Sequence, residues 1–223
     1  MLKYLLSSVK PQPGYQSVTV PAAALKKKKK SRFVVGSSKH TMRKSWKQGL
    51  LGGTVIKESV KCPKGENQND WLTIHTIEIY ETMEHCFDLC KDFCTPESCP
   101  NMMGRKALYL WSDQKDKKPV SIPARKYIEN LIRWTGEQID DTNIFPLGDT
   151  YSKEFLPTVK KIMARVIRVY AHIYFHHWAN IKSAGAEKHV NTSLNYYLNF
   201  VKEFQLINES DLEDIKPVFE GLD

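Results

Sequence analysis

The chain has 223 residues, of which 41% are hydrophobic and 26% charged, and this composition excludes a wholly disordered or fibrous protein. Its formal net charge of +8 suggests a nucleic-acid binder only until the charge is divided along the chain. Residues 1–60 hold 13 Lys+Arg against the single acid Glu58, a net +12, whereas residues 61–223 carry −4. The basic character belongs to one end and assigns no function to the body, so nucleic acid is not the expected main partner. No apolar run reaches the about 18–20 residues of a membrane helix, and Met1–Leu6 is too short for a secretory signal. The expectation is a soluble chain of the cytoplasm, with the nucleus open to it through its lysines.

Residues 1–45 read as a flexible basic arm. Pro11, Pro13, Gly14 and Pro21 punctuate it, and five adjacent lysines, Lys26 to Lys30, repel one another and stay solvated. The arm suits a nuclear-localisation patch or a contact with anionic lipid or nucleic acid. Ser31, Ser37, Ser38 and Thr41 lie among its bases as candidate phosphorylation sites. A domain is predicted over residues 46–223. Gly52-Gly53 marks a turn before an apolar segment that ends at Pro63.

Asn67 then opens a helix that runs toward Cys90. An Asn side chain can accept from free first-turn N–H groups, and Asp70 suits the positive end of the helix dipole. Ala107–Trp111 reads as a strand that pairs with Val120–Ile122 as a small β-hairpin. Helices follow at about 124–139, 152–182, 190–205 and 209–219, with Pro123, Pro146 and Pro157 near their starts, where proline is tolerated. The predicted fold is mostly α, a helical bundle with one hairpin.

Five cysteines, four of them between Cys86 and Cys99, make a poor disulfide framework and point to metal binding or reduced thiols. Cys94 and Cys99 bracket a short loop containing Pro96 and Ser98, so both sulfurs can face one centre. Much later come His172, His176 and His177. Thiolate and imidazole together suit tetrahedral Zn²⁺. On a continuous helix His172 and His176 lie about 40° apart, whereas His172 and His177 diverge by about 140°. Helix geometry therefore favours His176 as the second imidazole and leaves His177 as the alternative. Two loop ligands and two helix ligands would close the site, which argues for a structural metal over a catalytic one. The chain has no His-Glu-x-x-His sequence, so a zinc hydrolase is not expected.

An ordered series of motifs resembles the Mob/phocein family of kinase adaptors over about residues 46–220. It comprises Asn69-Asp70-Trp71, Phe93-Cys94-Thr-x-Glu97-Ser-Cys99-Pro100, Lys117-Lys118-Pro119 and Ala124-x-Lys126-Tyr127-Ile128. It continues with Arg168-Val-Tyr-Ala-His172-Ile-Tyr and His189-x-Asn191-Thr-Ser, and ends in Phe200-Val-x-Glu203-Phe-x-Leu206-Ile207. The resemblance implies a Mob-type helical bundle, a structural zinc, no enzymatic activity, and binding to the N-terminal regulatory region of Dbf2/NDR/LATS-type AGC kinases. Such adaptors link the kinase to an upstream phosphorylated kinase or scaffold peptide, in control of mitotic exit, cytokinesis, growth or morphogenesis. The alternative branch is a phocein-like subunit of a phosphatase–kinase scaffold assembly.

The resemblance also implies the site residues. Its histidine pattern makes the zinc ligands Cys94, Cys99, His172 and His177, against the helix-face preference. Its kinase-binding surface falls on Glu66, Asp70, Trp71, Ile74 and Glu78. Asp70, Ile74 and Glu78 recur every four residues, hence along one helix face, and an apolar centre with acidic flanks suits a basic partner helix. The alternative is that Trp71 and Ile74 are core. Its phosphopeptide surface falls on Arg165 and Arg168, with Lys161 in line one turn earlier and Lys117 and Lys118 nearby. A basic stripe can hold a phosphate by charge-assisted hydrogen bonds. A third family base would fall at Ala164, and the family's regulatory threonine at about Leu50, so both features are altered here.

Overall fold

The computed structural model describes residues 32–51, 55–112 and 118–219. Nine helices are described: α1 (Ser38–Leu51), α2 (Ile56–Ser59), α3 (Gln68–Asp88), α4 (Ala124–Asp140), α5 (Phe155–His176), α6 (Trp178–Ser183), α7 (Glu187–Glu203), α8 (Glu209–Leu212) and α9 (Lys216–Phe219). The expectation of a mostly helical chain holds. Among the described residues no helix is long and apolar enough to cross a membrane.

Helix α3 is the axis, with α1, α4, α5 and α7 packed around it. It starts where Asn67 caps it, its side-chain oxygen accepting from the N–H groups of Asn69 (2.8 Å) and Asp70 (3.3 Å). A surface helix buries one stripe, but α3 is buried all round from Asp70 to Tyr80, and in its last turns Glu81 and His85 reach solvent. Its polar residues must therefore find partners inside the fold.

Three segments differ from the sequence reading. Residues 38–45, assigned to the arm, are helical, and Lys39 and Met42 are buried; residues 1–31 lie outside the described residues. Met42 and Trp46, both buried, share one face of α1 at i, i+4, and that apolar pair outweighs the charge run around it. Second, the helix predicted over 152–182 divides. It breaks at His177, whose φ of −129° and ψ of 11° are not helical, and α6 begins anew.

Third, no strand is found among the described residues where the hairpin was predicted. Trp111 and Val120 exchange two backbone hydrogen bonds of 2.8 Å as an isolated antiparallel bridge. Among the described residues the ladder does not extend, because the Tyr109 N–H donates to Met102 O (2.8 Å) instead, and Pro119 and Pro123 have no N–H to offer. Residues 113–117 lie outside the described residues. Helix α6 ends in a left-handed Gly185 (φ 61°), with Ala186 N–H donating back to Ile181 O, the geometry that glycine admits without steric cost.

His75 sits at the centre of this core, fully buried. Its ring stacks on Phe200 (5.1 Å, 13°) and contacts Trp46 (4.9 Å) and Trp71 (4.4 Å), while Nδ1 meets the Tyr196 hydroxyl at 2.6 Å. Burial lowers its pKa to about 3, so the folded chain holds it neutral. The unfolded chain takes up a proton near pH 6.5. Stability is therefore retained above that pH and lost as pH falls below it, by about 1.4 kcal/mol per pH unit from this group. Urea titrations between pH 7.5 and 5 should show this slope, and His75→Gln should lack it. Equal slopes would mean that other groups set the acid limit.

Candidate metal centre and binding faces

Three elements converge below the base of α3. The loop after α3 carries Cys94 and Cys99, the last turns of α5 carry His172, and the α5–α6 break carries His177. All four are buried, and one ligand atom from each lies within 4.8 Å of the other three. Cys94 Sγ is 3.4 Å from His172 Nε2, and Cys99 Sγ is 3.5 Å from His177 Nε2. A tetrahedral ion with zinc's bond lengths would set sulfur and nitrogen about 3.5 Å apart. The donor set and spacing fit such an ion, and among the described residues the cluster comprises these four donors.

The break in α5 places His177, not His176, in the cluster. The divergence of about 140° assumes a continuous helix, and the helix ends at His176. His177 is freed from that periodicity and turns toward Cys99. His176, stacked on the His172 ring at 4.7 Å, is engaged elsewhere, its Nε2 lying 2.9 Å from Gly104 O. His172 Nδ1 lies 2.8 Å from Met103 O, a bond that requires the proton on Nδ1 and leaves Nε2 as a lone-pair donor toward the cluster. Burial lowers His172 to about 4, so its imidazole is neutral, the form a metal needs. Burial, reinforced by Cys99, pushes the Cys94 thiol well up, so metal binding would have to displace its proton. Cys86 and Cys90 are buried free thiols and Cys62 is partly exposed, all three outside the cluster.

The five residues expected at a kinase surface do not form an open face. Ile74 is fully buried, and Trp71 is core, its indole N–H donating to Val60 O at 2.7 Å. Asp70 and Glu78 lie under α1. Lys39 Nζ pairs with Asp70 Oδ1 at 2.9 Å and donates to the carbonyls of Pro146 (3.1 Å) and Gly148, so its three protons have three acceptors. The Tyr151 hydroxyl donates to the same Asp70 oxygen at 2.6 Å. Farther along, Arg43 (2.8 Å) and Lys47 (3.0 Å) hold the two oxygens of Glu78. Burial works against the Glu78 carboxylate, but Lys47 and Arg43 more than offset it and its pKa lies below the ordinary value. Only Glu66 of the five is exposed. It lines, with Trp71, Thr41 and Met42, a groove of about 540 Å³ between α1 and the α2–α3 loop.

The basic residues of α5 do lie along one face, and aromatic rings line it. Arg165 is sandwiched between Trp111 (4.7 Å) and Trp134 (4.5 Å) and donates to Ser112 O at 2.7 Å. Lys161 lies over Trp134 at 5.3 Å, and Arg168 lies over Tyr109 at 5.3 Å while donating to the Tyr127 hydroxyl. Arg165 is buried, Arg168 half-buried, and Lys161 and Lys118 exposed; Lys117 lies outside the described residues. Sequence reasoning found this stripe but not the rings that hold it, nor the cover that α1 places over Asp70 and Glu78. The available signal for that cover was the spacing of Lys39, Arg43 and Lys47, which matches the acids of α3.

The helical fold, the Cys2His2 cluster and the motif series place this chain among the Mob proteins. The family model for Mob1/phocein matches residues 47–215, and the chain belongs to that family. It is 52% identical over 188 residues to MOB kinase activator-like 2 of Dictyostelium discoideum, covering 84% of this chain and 86% of that one. It is 36% identical over 191 residues to human MOB kinase activator 3A, covering 84% and 88%. With MOB kinase activator-like 3 of Drosophila melanogaster it shares 35% over 191 residues, covering 84% and 87%. These relatives are named for activating kinases, not for a reaction of their own.

The two histidine assignments separate experimentally. His177→Ala should lower zinc affinity by about 100-fold or more and reduce thermal stability, because metal-binding energy in such a site is folding energy. His176→Ala should leave a bound metal in place. Zinc content and melting temperature of the purified variants would decide, and metal loss in the His176 variant alone would reverse the assignment.

Proposed function

We propose that this protein is a non-catalytic adaptor that binds the N-terminal regulatory region of a Dbf2/NDR/LATS-type AGC kinase. In this reading Asp70, Ile74 and Glu78 of α3, with Trp71 and Glu66 at their edge, form the kinase surface. One observation carries it: α3 already accepts a basic amphipathic helix, since α1 places Lys39, Arg43 and Lys47 on Asp70 and Glu78. A kinase segment with similar bases would be recognised by the same carboxylates. It must displace α1 to reach them. Glu66 and the neighbouring groove offer the part of that surface α1 leaves open.

The Cys2His2 cluster is proposed to hold a structural zinc that ties the loop after α3 to the end of α5. Held there, the ion would supply cross-linking, and Cys94, Cys99, His172 and His177 would fill its coordination. The α5 face is proposed to take the phosphate of an upstream kinase or scaffold peptide. Lys161 and Arg168 would make contact, with Lys118 beside them and Arg165 pinned behind them by its two tryptophans. Preset guanidinium groups lose less freedom on binding an anion. Activity in mitotic exit, cytokinesis, growth or morphogenesis follows the kinase class.

Two experiments test these surfaces. Arg43→Ala/Lys47→Ala removes two of the three bases of α1 and should raise recovery of the kinase in a pull-down several-fold. Adding Glu78→Lys should abolish that gain. Recovery unaffected by either change would place the kinase elsewhere. Separately, Arg168→Ala with Lys161→Ala should weaken a phosphopeptide by about tenfold or more and the unphosphorylated peptide little, as calorimetry would show. Equal losses for both peptides would refute phosphate recognition.

A further inference from the structure

The segment Met102–Tyr109 carries no recognised motif, yet it meets the metal centre, α5 and the C-terminal turn together. On one side its carbonyls face the histidines: Met103 O lies 2.8 Å from His172 Nδ1 and Gly104 O lies 2.9 Å from His176 Nε2. On the other side its N–H groups converge on one carboxylate. Arg105 (2.8 Å), Lys106 (2.9 Å) and Ala107 (3.3 Å) all donate to Asp214, and the Tyr109 hydroxyl adds a fourth bond at 2.8 Å. Gly104 N–H and Tyr109 N–H close the strap on itself through Ala107 O (3.0 Å) and Met102 O (2.8 Å). A Cβ on Gly104 would lie 1.8 Å from Asp214 Oδ2, so only glycine lets the carboxylate approach.

Successive N–H groups aimed at one point make a nest for an anion. Here the anion is part of the chain itself, on the turn between α8 and α9. Ile215, buried beside it, anchors that turn in the core. Asp214 thus fixes the loop whose Met103 carbonyl orients His172. Such outer partners set the tautomer and direction of a ligating imidazole, and their loss commonly costs 10–100-fold in metal affinity.

We propose that Asp214 is a positioning residue for the metal centre, acting through the Met102–Tyr109 strap on His172. The inference rests on the reading of Cys94, Cys99, His172 and His177 as metal ligands. Asp214 touches no ligand and is distant in sequence from all four. Its effect is to hold the Met103 carbonyl where Nδ1 can donate to it. By reciprocity the metal in turn steadies the docked C-terminal turn.

The test uses the full chain loaded with Zn²⁺ and challenged with a chromophoric chelator. Asp214→Asn keeps the shape but places an amide NH₂ against the strap's N–H groups, and it should release Zn²⁺ about tenfold faster or more. Ile77→Ala, on α3 in a cavity that Phe33, Ile139 and Phe145 also line, is the control for general destabilisation and should release zinc near the wild-type rate even if its melting temperature falls as far. Release from Asp214→Asn at the wild-type rate, or equal acceleration in both variants, overturns the inference. A wild-type chain that takes up no Zn²⁺ sinks the metal reading itself, a result distinct from either. If Asp214→Asn does not fold, amide exchange on the wild type decides: metal removal should expose the N–H groups of Arg105, Lys106 and Ala107, and unchanged protection would overturn the proposal.

Discussion

Two carboxylates buried on one helix constrain the rest of the fold. α3 is buried without interruption from Asp70 to Tyr80, so Asp70 and Glu78 must be neutralised from inside the chain. Breaking a buried ion pair by removing one partner costs about 3–5 kcal/mol, because it strands the other charge. That penalty fixes where α1 lies, with Lys39 on Asp70 and with Arg43 and Lys47 on Glu78. It also fixes the α4–α5 loop, since Lys39 donates to Pro146 O there and Tyr151 of the same loop donates to Asp70. The same penalty shapes the proposed function. A kinase segment on this face must bring its own bases before α1 can leave, which makes the exchange selective for a basic helix.

The second constraint acts at the opposite end. Cys94 and Cys99 follow α3, and His172 and His177 end α5, so four buried donors join the two most extensively packed helices. The Met102–Tyr109 strap extends the connection to the C-terminal turn through Asp214 and to Arg168 through the Tyr109 ring. The proposed phosphate face and the metal centre therefore share one piece of backbone.

What the sequence showed followed the reach of its local rules. The α3 cap at Asn67, the start of α4 after Pro123 and the Cys94/Cys99 loop were legible because each rests on a few adjacent residues. His177 was not legible from periodicity, because a break in α5 cancels the angular argument, and only the family resemblance supplied it. α1 was missed because its lysines and arginines resemble a solvated run, and their partners are some 30 residues away on α3. The predicted hairpin is seen only as the Trp111–Val120 bridge among the described residues, and Tyr109 pairs with Met102, a choice no local pattern records. Asp214 gave no signal at all, since a nest is defined by backbone direction and not by side-chain type. Membership of the Mob1/phocein family, shown by residues 47–215, accords with the helical bundle, and Cys94, Cys99, His172 and His177 form a cluster that could hold a metal ion.

The central claim is that α1 and the kinase compete for Asp70 and Glu78. Hydrogen exchange of the full chain with and without a basic N-terminal segment of a Dbf2/NDR/LATS-type kinase tests it most directly. The account predicts that binding strips protection from the amides of α1 while those of α3 and α5 stay protected. Saturating binding with the protection of α1 unchanged would contradict it.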